Sequence, residues 1–288
     1  MTTASYRRIA RIVRGMATSD GGGVRLNRVI GSQDLPMLDP FLLLDEFRSD
    51  NADDYLAGFP EHPHRGFETV TYMLAGQMQH GDNKGNTGNL GPGSVQWMTA
   101  GRGIVHSEMP QQENGLLQGF QLWVNLPASD KMTAPRYQEF AASEIPQVAL
   151  DGGGSVKVIA GTFGGVTGPV SGVATQPSYY DVILPAGATL DLTMPAEHHA
   201  FIYVYQNVLS VVDGPQERPV KQGELAALTQ GDTIAVGALE QEVRFIVVAG
   251  KPLNETVARY GPFVMNTAEE VQQAFVDFQQ GLNGFERA

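Results

Sequence analysis

Apolar residues along this chain come in short runs separated by turn formers, which predicts strands rather than helices over most of its length. Residues 68–74 (ETVTYML) carry β-branched and aromatic side chains at a strand's density. Further strands are expected at the N-terminus, at 24–30 after the Gly21–Gly23 turn, at 94–98, 104–108 and 119–126, with a short apolar stretch at 40–44. Residues 31–60 and 80–93 read as turn-rich. Residues 127–154 break the pattern with Pro127, Pro135, Pro146 and the triplet Gly152–Gly154. A second series then follows at 156–160, 179–184, 189–193, 200–205, 208–212, 225–228, 233–236 and 243–249, punctuated by PAGATL and TQGDTI turns. Many short strands with Gly/Asn turns define an all-β fold of two barrels, divided into 1–134 and 135–288. Only the tail differs. Thr267 and Glu270 form a capping-box pattern, and Val271, Ala274, Phe275, Phe278 and Leu282 recur at helical spacing. This predicts a helix over about 268–281, ended by Asn283-Gly284 and docked on a barrel's outer face.

Composition agrees with that picture and removes several functions. The 288 residues are 42% hydrophobic and 17% charged, enough apolar material for two cores, and 34 glycines and 17 prolines suit frequent turns. A formal charge of −12 repels phosphate backbones, so direct nucleic-acid binding is disfavoured. The one basic cluster, Arg7, Arg8, Arg11 and Arg14, alternates with apolar residues and reads as a solvated strand face. Without cysteine there can be no disulfide, thiol nucleophile or thiolate metal site. No apolar run has the length of a membrane span and the N-terminus lacks a signal-peptide core, so a cytoplasmic protein with no membrane partner is expected.

The candidate chemistry lies in six histidines: His62, His64, His80, His106, His198 and His199. In a strand, residues i and i+2 share a face, so His62 and His64 can reach one ion, as can His106 and Glu108. Two such pairs on neighbouring strands would offer three imidazoles and a carboxylate. That set suits iron(II), manganese, nickel, copper or zinc, and leaves coordination positions open for water, dioxygen or substrate. Taken singly, each pair reads equally well as solvent-facing side chains. His198 and His199 are adjacent and point to opposite strand faces, so they form no chelate. His80 sits in a glycine-rich stretch and is expected to be solvated.

The segments FPEHPHRGFETVTYML and NTGNLGPGSVQWMTAGRGIVHSEMP, with LDPFLLLDEF and the tail GPFVMNTAEEVQQAFVDFQQGLNGFE, resemble the pirin family of the cupin superfamily over nearly the whole chain. The resemblance implies two cupin barrels stacked face to face and one mononuclear non-haem iron, Fe(2+), in the first. It places the metal ligands at His62, His64, His106 and Glu108. Glu68 corresponds to a wider cupin glutamate; it is expected on the same strand face as the two histidines, as a pocket residue or as an ion pair with Arg65 or Arg102. The family's activity is similar to quercetin 2,3-dioxygenase, an oxidoreductase acting on a flavonol with dioxygen. Glu108 would then be the catalytic base, and Phe59, Met73 and Trp97 would wall a pocket for a small enolic aromatic. The family equally implies an alternative: a metal-dependent, redox-responsive regulator that binds partner proteins without turnover.

Overall fold

The structure, a computed structural model, describes residues 5–286 and groups them into two compact units. One gathers residues 17–31, 41–142 and 253–286. Its larger sheet holds seven strands, in the spatial order Arg136–Phe140, Val95–Thr99, Phe67–Ala75, Leu117–Asn125, Phe41–Ser49, Val24–Ile30 and Met16–Asp20. Its smaller sheet holds four: Phe59–His64, Ile104–Pro110, Met78–Asp82 and Thr87–Leu90. The side-chain period of two divides each strand of the larger sheet into an inner and an outer face. On Phe67–Ala75 the inner set includes Thr71 and Met73. Met73 packs with Met78 and Leu90 of the smaller sheet, and Thr71 meets Glu108.

The other unit gathers residues 5–16, 32–40 and 143–252, again as a seven-stranded and a four-stranded antiparallel sheet. Its interior is filled by Val158, Val182, Ile202, Val204, Leu209, Val211, Ile234, Phe245 and their neighbours. Among the described residues no group of three or more His, Cys, Asp or Glu converges within this unit.

The two-barrel, all-β expectation therefore holds. The expected cut at 134 differs from the contact grouping at both chain ends. Ile9–Arg14 adds to the sheet of the second series by pairing with Glu224–Leu228, whereas the tail closes on the barrel of the first series. These are long-range pairings between segments about 200 residues apart, which local pattern cannot encode.

The tail is a hairpin, Ala258–Tyr260 with Phe263–Met265, followed by the helix Ala268–Gln280. The capping box forms as read: Thr267 Oγ1 accepts from the Glu270 backbone, and the Glu270 carboxylate accepts from the Thr267 backbone. The helix stops at Gly281, in the left-handed conformation, two residues before the expected Asn283-Gly284. Its buried face carries Val271 and Ala274 against Phe263, Met265 and Phe285, and also buries Asp277. No helix of the described residues is long and apolar enough to cross a membrane.

The basic cluster divides. Arg8, Arg11 and Arg14 are exposed as expected, but Arg7 is buried. Its guanidinium donates to the carbonyls of Pro195 (2.7 Å), His198 (2.8 Å) and Thr229 (3.1 Å). A guanidinium carries five donors, so one side chain can satisfy several loop carbonyls that no strand pairs.

Candidate metal centre

His62 and His64 project from Phe59–His64, and His106 and Glu108 from Ile104–Pro110. These strands are adjacent and antiparallel, with His106 opposite His62. The rings meet at steep angles: centroids are 4.4 Å apart for His62–His106, 4.7 Å for His62–His64 and 5.0 Å for His64–His106. One nitrogen from each lies within 4.8 Å of the others, and among the described residues no other group of three or more His, Cys, Asp or Glu converges in this way.

Their surroundings suit neutral ligands. His64 and His106 are buried, and burial, reinforced by the neighbouring His62, holds both imidazoles well below the usual histidine range. His64 Nδ1 and both ring nitrogens of His106 have no hydrogen-bond partner. Buried polar atoms left without partners cost free energy, and a cation is the group that would satisfy one lone pair from each of the converging rings. In His62, Nδ1 donates to the Pro60 carbonyl at 2.8 Å, which leaves Nε2 as the lone-pair nitrogen.

Glu108 does not join that group. Its carboxylate accepts from Thr71 Oγ1 (2.7 Å) and Gln121 Nε2 (3.2 Å), which hold it on the larger sheet's side. A β-bulge between His106 and Glu108 also shifts the register there. The structure thus brings three of the four expected residues together and places the fourth on the wall of the same cavity. That cavity has a volume of about 560 Å³ and is also lined by Phe59, Gln121, Trp123 and Pro262. Trp123 lies edge-on to His64 (5.2 Å) and beneath the Arg259 guanidinium (4.7 Å).

Other expected positions differ. Glu68 is buried, but on the outer face of its strand, where it accepts from Thr99 Oγ1 at 2.7 Å. It pairs with neither Arg65 nor Arg102. The parity that linked it to His64 fails because Gly66, at φ +86°, breaks the strand between them. A Cβ at Gly66 would collide with the Val264 carbonyl, so only glycine fits. Phe59 lines the cavity as expected, whereas Met73 and Trp97 are core. His80 is buried rather than solvated: it lies on Met78–Asp82, stacks on Tyr137 and meets Glu139 Oε2 at 2.6 Å. His198 and His199 stay apart from any cluster; His199 Nδ1 donates to the Asp39 carbonyl. Sequence reading missed Gln121 and Trp123, although both alternate on an otherwise apolar strand, a legible sign of an inward polar face. Nothing local marked Pro262.

Burial of His64 and His106 has a measurable consequence. Their folded-state affinity for protons lies below that of the unfolded chain, so below about pH 6.5 the unfolded state binds more protons. Stability of the metal-free protein is expected to be unaffected by these groups above that pH and to fall below it. The slope is about 1.4 kcal/mol per pH unit for each imidazole. Urea melts between pH 7.5 and 5 check this, and the double variant His64→Asn/His106→Asn should flatten the slope. An unchanged slope in the variant would contradict it.

Two cupin barrels, one with an apolar core and one holding a histidine triad beside a cavity, define a bicupin with, among the described residues, one candidate metal centre. The first barrel matches the Pirin family model over residues 23–124, and residues 179–284 match the Pirin C-terminal cupin domain. The chain belongs to the pirin family. It is 51% identical over 276 residues to a pirin-like protein of Caulobacter vibrioides, covering 96% of this chain and 98% of that one. It is 43% identical over 286 residues to pirin of Homo sapiens, covering 99% and 96%. The crystal structure of quercetin 2,3-dioxygenase from Acinetobacter baumannii is similar at a TM-score of 0.89 and 33% identity, over 98% of this chain and 99% of that one.

Proposed function

We propose that the chain binds one divalent transition metal, iron(II) foremost, through His62, His64 and His106, with Glu108 beside them on the cavity wall, and oxidises a flavonol such as quercetin with dioxygen. The observation that carries this reading is the convergence of one nitrogen from each of His62, His64 and His106, the latter two being buried imidazoles that burial holds well below the usual histidine range. The similarity to a protein described as quercetin 2,3-dioxygenase supplies the substrate class. A bound divalent ion of this ligand type acidifies an enolic hydroxyl and offers open positions to dioxygen.

The chain's own residues do the rest. Glu108 faces the cavity and is the base for the substrate hydroxyl proton. Thr71 and Gln121 hold its carboxylate in a defined orientation, which favours transfer along one direction. Phe59 and Trp123 present apolar surfaces to a planar ring system and keep water from it. Iron-loaded protein with quercetin in an oxygen electrode should consume oxygen, and Glu108→Gln should slow uptake by roughly 10²- to 10⁴-fold. Iron-replete protein with no uptake above buffer would refute the dioxygenase reading.

A further inference from the structure

The residue that follows His64 leads away from the cavity into a buried polar junction. Arg65 is 1% exposed, and its Nη1 donates to Asp277 Oδ2 of the C-terminal helix at 2.7 Å. Its Nε donates to the carbonyl of Arg102, and its Nη2 to the carbonyl of Asn283 at 3.2 Å. The guanidinium also lies over the Phe285 ring at 4.9 Å. Asp277 is itself held by Gln273 Nε2 at 2.8 Å and Asn283 Nδ2 at 3.0 Å.

The junction touches both ligand-bearing strands. On the first, the Arg65 backbone donates to the Pro262 carbonyl and accepts from Val264, so the tail hairpin runs beside the end of Phe59–His64. On the second, Arg102 and Gly103 lead directly into Ile104–Pro110. There Gly103 packs backbone against backbone with Gly284, and a Cβ on either would strike the other segment. Asn83 adds a third tie: its Oδ1 accepts from Val105, the residue before His106, and its Nδ2 donates to the Gly284 carbonyl. The tail therefore grips the chain one residue after His64 and one residue before His106.

We infer that the Arg65–Asp277 pair is a positioning device for the metal centre: docking of the C-terminal helix sets the spacing of His64 and His106, and so sets metal affinity. Neither residue touches the cavity. The inference rests on the histidine triad being the metal site, as proposed above, and is independent of whether the bound metal turns over a flavonol.

The test is nickel(II) titration calorimetry on the full chain, with cobalt(II) absorption as a report on coordination geometry. Asp277→Asn keeps the shape and removes the charge. It is expected to weaken nickel binding roughly 10- to 100-fold, the range typical for loss of a group that orients a ligand, and to alter the cobalt spectrum. Arg65→Lys keeps the charge but loses the fork that reaches the Arg102 and Asn283 carbonyls; it should show an intermediate loss and serves where Asp277→Asn folds poorly. Val211→Ala, a cavity in the other unit's core, supplies a destabilised control whose nickel affinity should stay at the wild-type value. A folded Asp277→Asn or Arg65→Lys protein with wild-type affinity and spectrum would overturn the inference, as would an equal loss in Val211→Ala. Wild-type protein that binds no nickel at the triad would instead refute the metal site itself.

Discussion

Replacing His106 by alanine is expected to abolish stoichiometric metal binding while leaving the protein folded. His106 is the most enclosed member of the triad, at 0% exposure, and neither ring nitrogen has a protein partner. Its loss removes one of three converging lone pairs and no hydrogen bond. Loss of groups that merely orient a ligand costs about 10- to 100-fold in affinity, so loss of the ligand itself should exceed 100-fold. The fold should tolerate the change, because the ring's removal strands no hydrogen-bond partner. Metal analysis after dialysis, with calorimetry for affinity and near-ultraviolet circular dichroism for folding, checks both halves. Retained stoichiometric metal in a folded His106→Ala protein would place the metal elsewhere.

The second large effect is on stability and lies in the unit without the site. Arg7→Ala should destabilise the protein by about 3–5 kcal/mol, because it leaves a buried cavity and strips charged donors from three carbonyls at once, that of His198 in a buried setting. The acceptors belong to the loop residues Pro195, His198 and Thr229, and the Pro195 carbonyl also accepts from the His198 backbone. Burial lowers the Arg7 pKa from its usual value, but not enough to neutralise a guanidinium, so the cation is worth keeping only for the bonds it makes. Arg8→Ala, one residue along and on the exposed face, should cost within about 0.5 kcal/mol. Urea denaturation of the two variants makes the comparison, and equal midpoints would contradict the role assigned to Arg7.

Those two arginines show where local reading stops. Both sit in one basic, alternating run, and nothing within the run distinguishes the buried one. The distinction comes from loops near residues 195 and 229, which bring carbonyls to one side of the strand. The same holds at the metal centre. The i, i+2 spacing of His62/His64 and of His106/Glu108 was legible because strand alternation is a local rule. Whether Glu108 joins the histidines depends on Thr71 and Gln121, from two other strands, and on a bulge in its own. Parity also misplaced Glu68, since it assumed one continuous strand through Gly66. His80 looked solvated because its neighbours are glycine and asparagine, although they form the hairpin that buries it.

What the sequence determined by itself was the all-β class, the capped terminal helix and the candidate ligands, because strand alternation, helix capping and ligand chemistry are properties of residues near one another along the chain. Tertiary structure alone decided that Ile9–Arg14 completes one unit while the tail closes the other, that Asp277 is buried against Arg65, and that the carboxylate of Glu108 is held apart from the three imidazoles. Each of those outcomes depends on contacts between distant segments, and the charge, spacing and hydropathy of either partner alone carry no record of the other.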